Sequence, residues 1–180
     1  LLIVVSAIGK TTDALEKVVE AHKNQTGEAF QLLELVKKSH YEIADQLFEP
    51  GDPVYDAVND TFVEIEWVLE EAPHENYDFM YDQIVSVGEL VSSKIVQAYL
   101  VKAGLPTQWL DARDVILTDD IYREGWVQWE ETEARSERIA RPMLEKGGFV
   151  LTQGFIGSTT ENFTTTLGRE GSDYTAAIFS

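Results

Sequence analysis

The chain has 180 residues, 44% of them apolar, and its 32 acidic and 14 basic side chains give a net charge of −18. That charge argues against nucleic acid and anionic membranes as partners, and the absence of cysteine excludes disulfide and thiolate chemistry. The length suits one domain or one lobe of a larger one. The apolar start at Leu1–Val5 is too short for a signal peptide and lacks a basic flank, so we expect a cytoplasmic protein.

The first predicted element is a buried parallel strand over Leu1–Val5, followed by a turn and a helix from about Thr12. The turn contains Gly9-Lys10-Thr11, which imitates the end of a phosphate-binding P-loop. A P-loop requires a glycine five residues before Gly9, and Val4 occupies that position. The P-loop interpretation is therefore excluded, while a capped strand-to-helix turn remains possible here.

Helical periodicity dominates residues 13–75. We predict three helices over 13–24, 26–48 and 54–71, the last one beginning after Asp52-Pro53 and ending before Pro73. The glutamates of the third helix are most simply a solvated face. Because no catalytic cluster falls in this region, it is predicted to be a helical insertion with structural or subunit-contact roles.

The pattern over Tyr77–Ala103 predicts a long helix that is buried on most sides. Apolar residues recur along it at spacings of three and four, and its other faces carry further apolar or small residues. A membrane span is not favoured, because the segment contains charged residues and lies mid-chain among polar helices.

Glu89 is the unusual residue of this helix. Lys94 lies five positions away, off the favourable i,i+4 spacing, so Glu89 has no obvious partner on its own helix. An unpaired buried carboxylate costs on the order of several kcal/mol. We therefore expect Glu89 to meet a cation from elsewhere, either Arg169 in a structural pair or the ammonium group of a ligand.

The middle of the chain offers structural elements but no catalytic cluster. Asp111 and Arg113 are expected to form a structural ion pair, and Trp126 and Trp129 to be packing residues. The predicted elements, in order, are a strand over 107–110, a short strand over 115–117, a loop over 119–129, and a helix over 130–145 with a C-cap at Gly147-Gly148.

The last 30 residues contain the best candidate for a binding site. A strand over 149–151 runs into Gln153-Gly154-Phe155-Ile156-Gly157, and a threonine-rich segment follows. Ser172 is predicted to be the N-cap of a final helix, whose first N–H groups can bind an anion. Arg169, Ser172 and Asp173 thus place a cation, a hydroxyl and a carboxylate within five residues, as a site for a small charged ligand would.

Four strings of this sequence stand in the order typical of one family: VVSAIGKTTDAL, SVGELVSS, TQGFIGS and TTTLGREGSDYTAA. With them the chain resembles the aspartokinases of the amino-acid kinase family. The resemblance implies an α/β three-layer sandwich with a mainly parallel sheet and a helical insertion. It also implies ATP-dependent phosphorylation of the side-chain carboxylate of L-aspartate, a step of lysine, threonine and methionine biosynthesis. Mg²⁺ is expected with the ATP, and the full-length protein is expected to be a homo-oligomer.

The resemblance also implies roles for single residues. Arg169 would hold the α-carboxylate of aspartate as a bidentate fork and Glu89 its ammonium group. Asp173 would orient cationic groups at the phosphoryl position, although a simple first-turn carboxylate is the structural alternative. The remaining predicted site residues are Ser6, Thr12 and Ser172, which would contact the amino acid, and Gly168 and Gly171 of an anion-binding loop.

Two departures from the family pattern matter. Asp13 stands where the family usually has asparagine, and parts of the family's domain are missing. We predict no metal ligand within the chain. The family's lysine- and glycine-rich opening strand, its nucleotide-binding half and any regulatory domain are absent from the sequence. We therefore predict a partial catalytic domain, truncated at both ends, that holds most of the aspartate site and is inactive alone. The alternatives are another amino-acid kinase, such as a glutamate 5-kinase, and a non-catalytic amino-acid-binding or interaction protein that retains the substrate lobe.

Overall fold

Three parallel strands form the central sheet, in the order β1-β3-β2. In the computed structural model, which describes residues 1–180, β3 pairs with both neighbours, so that Leu2 lies beside Val150 and Thr107 beside Phe149. The elements are β1 (Leu2–Val5), α1 (Thr11–Lys23), α2 (Ala29–Leu47), α3 (Val54–Glu70), α4 (Tyr77–Lys102), β2 (Thr107–Leu110), α5 (Trp129–Arg135), α6 (Arg141–Glu145), β3 (Phe149–Gln153), β4 (Ile156–Ser158), β5 (Thr164–Thr166) and α7 (Gly171–Ile178).

Helices cover both faces of this sheet. The helix α4 packs on one face, while α6 and α7 pack against β3 and β1 on the other. On the second face Val150 and Leu110 of the sheet are buried against Ala140 and Met143 of the helical segment. The predicted α/β three-layer arrangement with a mainly parallel sheet is confirmed.

The largest apolar core lies between α4 and the three helices that precede it. It comprises 21 buried residues, among them Leu15, Phe62 and Ile84. Fourteen of the 26 residues of α4 are buried, as its pattern predicted. By length and composition α4 could cross a membrane, but its mostly buried surface is typical of a core helix.

A small antiparallel hairpin, β4–β5, stands beside the main sheet and pairs Ile156 with Thr166. The strand predicted over 115–117 is wrong: a 3₁₀ turn at Ala112–Asp114 precedes a single bridge from Leu117 to Ser158. The cause is local, because the side chain of Asp111 accepts the N–H of Arg113 at 3.0 Å and closes the turn. The predicted ion pair between Asp111 and Arg113 is present at 2.8 Å.

The helix predicted over 130–145 is continuous but irregular. A π-helical turn at Ser136–Ala140 separates α5 from α6. Pro142, two residues after this turn, cannot donate the usual hydrogen bond to the carbonyl of Arg138, which accounts for the local widening. The tryptophans predicted to be packing residues are exposed instead, Trp126 by 73% in the loop before α5 and Trp129 by 56% at the first residue of α5.

The close approach of α4 to the β1–α1 turn depends on Gly88. A Cβ at Gly88 would lie 2.8 Å from Cγ2 of Thr11 and 3.2 Å from Cδ1 of Leu15. Both neighbours are buried in the core. Gly88 therefore lets the next residue, Glu89, stand beside the turn that carries Ser6.

We predict that Gly88→Ala destabilises the fold by about 1–3 kcal/mol, because the added methyl group overpacks the contact between α4 and α1. Ordinarily a glycine-to-alanine change within a helix stabilises by roughly 1 kcal/mol, so the expected sign is the reverse of the intrinsic one. Urea unfolding of both proteins measures the difference. A more stable Gly88→Ala protein would contradict this prediction, because it would show that the contact between α4 and α1 has room for a methyl group.

Candidate active site

A polar cavity of about 410 Å³ lies at the carboxyl ends of β1 and β3. Ten residues line it, and they include all eight that the sequence predicted as site residues. Two further lining residues, Phe155 and Glu170, were not predicted. The eight are Ser6, Thr12, Glu89, Gly168, Arg169, Gly171, Ser172 and Asp173. Their roles in binding are not tested by this proximity and remain predictions.

The first turn of α7 is held against the ends of the strands. The hydroxyl oxygens of Ser6 and Ser172 lie 2.5 Å apart. A Cβ at Gly154 would lie 2.6 Å from Cβ of Ser172, so only glycine allows this approach. Thr175 is fully buried, and its hydroxyl accepts the N–H of Phe155 at 3.0 Å. The motif around Phe155 and the start of α7 are thus one packed unit.

The loop that leads into α7 has a left-handed backbone at Gly168 and Glu170. The helix begins at Gly171, and no side chain caps it. The prediction of Ser172 as N-cap is therefore wrong. Ser172 lies inside the first turn, and its hydroxyl forms a hydrogen bond with that of Ser6. The first N–H groups of a helix have no intrahelical acceptor, so this end of α7 can offer them to an anion.

Glu89 is 4% exposed, and its Oε2 has no hydrogen-bond partner. Burial raises the pKa of Glu89 to about 8, although the backbone N–H of Ala7 opposes the shift. The cation expected at Glu89 is not supplied by the chain. Lys94 donates instead to the hydroxyl of Thr61 at 2.7 Å, and Arg169 points to solvent.

Arg169 is the cation of the cavity. Its side chain is 95% exposed, and its one ion pair is a long contact of 3.9 Å with Glu170. An exposed surface pair of this length contributes little to stability. The guanidinium is therefore available to a ligand carboxylate, while Glu170 and Asp173 add two carboxylates to the rim.

Phe155 was not predicted as a lining residue, although the sequence held one signal for it. It has a left-handed backbone, with φ of 72°. Its place between Gly154 and Gly157 was the available signal, since closely spaced glycines permit such conformations and close approaches nearby.

A larger cavity of about 690 Å³ lies on the far face of the sheet, between the helical segment 129–145 and the end of α7. It contains none of the predicted site residues, and its arginine, Arg141, is already paired with Glu137. We regard the smaller cavity as the candidate active site, because only there is a buried carboxylate left without a partner.

Comparison with known proteins agrees with the sequence resemblance. The profile of the amino acid kinase family matches residues 1–180. Lysine-sensitive aspartokinase 3 of Escherichia coli is 33% identical over 181 residues, a match that covers 99% of this chain and 39% of that protein. The chain therefore spans well under half the length of this relative.

Two solved structures of E. coli aspartokinase III are similar throughout the chain. The complex with lysine and aspartate superposes with a TM-score of 0.89, and the complex with aspartate and ADP with a TM-score of 0.88. Each is 32% identical and covers 98% of this chain and 39% of the solved one.

We predict that Glu89→Gln stabilises the fold at alkaline pH. The folded protein binds a proton at Glu89 up to about pH 8, whereas the pKa of an unperturbed glutamate side chain is 4.5. The contribution of Glu89 to stability is therefore present below about pH 4.5 and is lost as the pH rises through 8. Glutamine stays neutral, so the variant should match wild type at pH 5 and exceed it at pH 9.

Thermal unfolding at the two pH values measures this difference. Glu170→Gln is the matched control, because that carboxylate lines the same cavity but is exposed. Equal melting temperatures of wild type and Glu89→Gln at pH 9 would contradict the assigned burial.

Proposed function

The chain belongs to the amino acid kinase family, and on that premise we propose that it forms the aspartate-binding part of an aspartokinase. Such an enzyme transfers a phosphoryl group from ATP to the side-chain carboxylate of L-aspartate and yields 4-phospho-L-aspartate. The whole enzyme would be longer than this chain, since the similar E. coli protein extends well beyond the matched region.

The observation that carries this proposal is the pairing of opposite groups across one cavity. Glu89 supplies a buried carboxylate with a free oxygen, and Arg169 supplies an exposed guanidinium without a strong partner. An α-amino acid carries an ammonium and a carboxylate on one carbon, which these two groups complement. The guanidinium can hold a carboxylate through two parallel hydrogen bonds.

The chemistry of this reaction needs little from the protein beyond positioning. The side chain of aspartate has a pKa near ~3.9, so it is already an ionised nucleophile at pH 7 and no general base is required. What remains is to orient two anions that repel one another. Ser6, Thr12 and Ser172 would fix the amino acid through their hydroxyls, while Glu89 and Arg169 hold its α-substituents.

The residues of the cavity fit a phosphoryl group only in part. The uncapped start of α7 at Gly171, with Gly168 in the loop before it, can donate N–H groups to an anion. Mg²⁺-ATP would supply the phosphoryl group, and Asp173 would orient the cations that accompany it. The rim carries two carboxylates and one arginine, so most of the positive charge that ATP requires would come from parts of the enzyme outside this chain. We expect the enzyme to be cytoplasmic and homo-oligomeric.

We predict that the chain binds L-aspartate and that Glu89→Ala or Arg169→Ala weakens binding by roughly 10- to 100-fold. Each change removes one charge-assisted pair, which is worth roughly 1.5–3 kcal/mol. Calorimetric titration measures the affinities, with Glu170→Gln as the control. Equal affinity in wild type and Glu89→Ala would defeat the assignment of Glu89. Preference for L-glutamate over L-aspartate would favour a glutamate kinase instead.

We further predict that the affinity for aspartate rises between pH 6 and pH 8, by up to about tenfold per unit. A protonated Glu89, whose pKa is about 8, must lose its proton before it can accept the ammonium group. The other charged groups of the cavity, Arg169, Glu170 and Asp173, are exposed. Titrations of aspartate into wild type and Glu89→Gln at each pH test whether Glu89 is the source. The affinity of the variant should not depend on pH in this range.

The 180-residue chain on its own should bind aspartate without catalysing turnover, because the cations needed for ATP lie elsewhere. A coupled assay of ADP release, run beside the full-length protein, measures this. Normal turnover by the chain alone would refute its assignment as a partial catalytic domain.

A further inference from the structure

Asp82 is a second carboxylate that α4 carries into the interior, and it is fully buried. Its Oδ2 accepts the backbone N–H of Arg123 and that of Thr166, each at 2.9 Å. Its Oδ1 accepts the hydroxyl of Thr166 at 2.7 Å. Three donors from two other segments thus converge on one side chain, unlike Glu89, which keeps a free oxygen.

Gln83, the next residue of α4, also bonds to β5, the strand that contains Thr166. Its amide nitrogen donates to the carbonyl of Thr164 at 2.8 Å, and its amide oxygen accepts the N–H of Thr164 at 3.1 Å. The side chains of α4 therefore bond to β5 at alternate residues, as a neighbouring strand would. This fixes β5 on α4 in a single register.

β5 leads directly to the arginine of the candidate active site. Arg169 follows Thr166 by three residues, through Leu167 and Gly168. The N–H of Leu167 donates to the carbonyl of Phe155 at 2.8 Å, so the backbone is held in place as far as the residue before Gly168. The place where the loop of Arg169 begins is consequently set by the bonds that Asp82 makes to Thr166.

Asp82 and Glu89 lie on the same face of the same helix. They are seven residues apart, which is about two turns and ~10 Å along the axis. One rigid helix therefore carries Glu89 directly and holds, through Asp82, the strand that ends at Arg169.

We propose that Asp82 is a positioning residue that sets the place of Arg169 relative to Glu89. It thereby fixes the separation between the groups that receive the α-carboxylate and the ammonium of the substrate. This inference rests on the proposed function. Asp82 itself is outside the cavity and touches no substrate.

The test is Asp82→Asn in the full-length enzyme. Asparagine keeps the shape but is neutral, so the N–H groups of Arg123 and Thr166 lose a charged acceptor, and the hydroxyl of Thr166 must accept from the NH₂ group instead of donating. The KM for aspartate should rise by about tenfold, while the KM for ATP changes by less than about twofold. A merely structural defect would reduce the amount of active enzyme and lower kcat, and would leave both KM values unchanged.

A truncated ligand separates positioning from general damage. β-Alanine has the ammonium group and the reacting carboxylate of aspartate but lacks the α-carboxylate that Arg169 would hold. Titration followed by nuclear magnetic resonance should show equal affinity for β-alanine in wild type and Asp82→Asn. A matching loss for both ligands would overturn the proposal.

Asp78→Asn is the matched control, because Asp78 lies one turn earlier on α4, is half exposed and pairs with Arg123 at 3.6 Å. Its kinetics should match wild type.

If Asp82→Asn fails to fold, as circular dichroism would show, the Thr166→Val variant provides the test, since it removes only one hydroxyl donor. Its aspartate KM should rise about threefold, and an unchanged value overturns the proposal. Absence of aspartate binding by the wild-type enzyme would instead refute the proposed function, and this inference with it.

Discussion

The helix α4 is enclosed by other helices on one side and by the parallel sheet on the other, and it carries two carboxylates into that interior. Desolvation opposes the ionised form of both, raising the pKa of Asp82 to about 6 and that of Glu89 to about 8. Asp82 accepts three hydrogen bonds within the protein, whereas Glu89 is bonded only by the backbone N–H of Ala7 and keeps an oxygen without a partner. The apolar contacts along α4 must therefore stabilise the fold enough to tolerate an unpartnered carboxylate.

This imbalance connects stability with binding. A buried carboxylate left without a cation destabilises the free protein and gains most when a ligand supplies one. Because α4 is held by packing on nearly every side, the helix cannot shift as a whole to bring Glu89 to the surface. Apolar packing in the core thus offsets the energetic cost of burying Glu89, and the proposed substrate would offset a further part of it. Sites that are fixed before the ligand arrives lose less entropy on binding.

The position of the cavity follows from the topology of the sheet. In an open parallel sheet the carboxyl ends of the strands meet at one edge, and helices start there with their N–H groups directed at the same space. β1 brings Ser6 to this edge, and the turn after β3 brings Gly154, which admits the first turn of α7. Charge is sparse in the cavity itself: one arginine faces three carboxylates in a chain of net charge −18.

The sequence by itself determined the helices, the parallel strands and the composition of the site, because apolar periodicity and short glycine-containing motifs are local properties. It placed Glu89 in a buried helix without a partner on that helix, as the structure shows. Only the tertiary structure decided which polar groups form hydrogen bonds with one another across the fold. Ser172 lies inside α7 rather than capping it, and the tryptophans face solvent, since both outcomes depend on segments far away in sequence. The hydrogen bonds of Asp82 reach Arg123 and Thr166, which are 41 and 84 positions away in the sequence. Contacts at such separations form only when the chain folds, so no local sequence pattern predicts them.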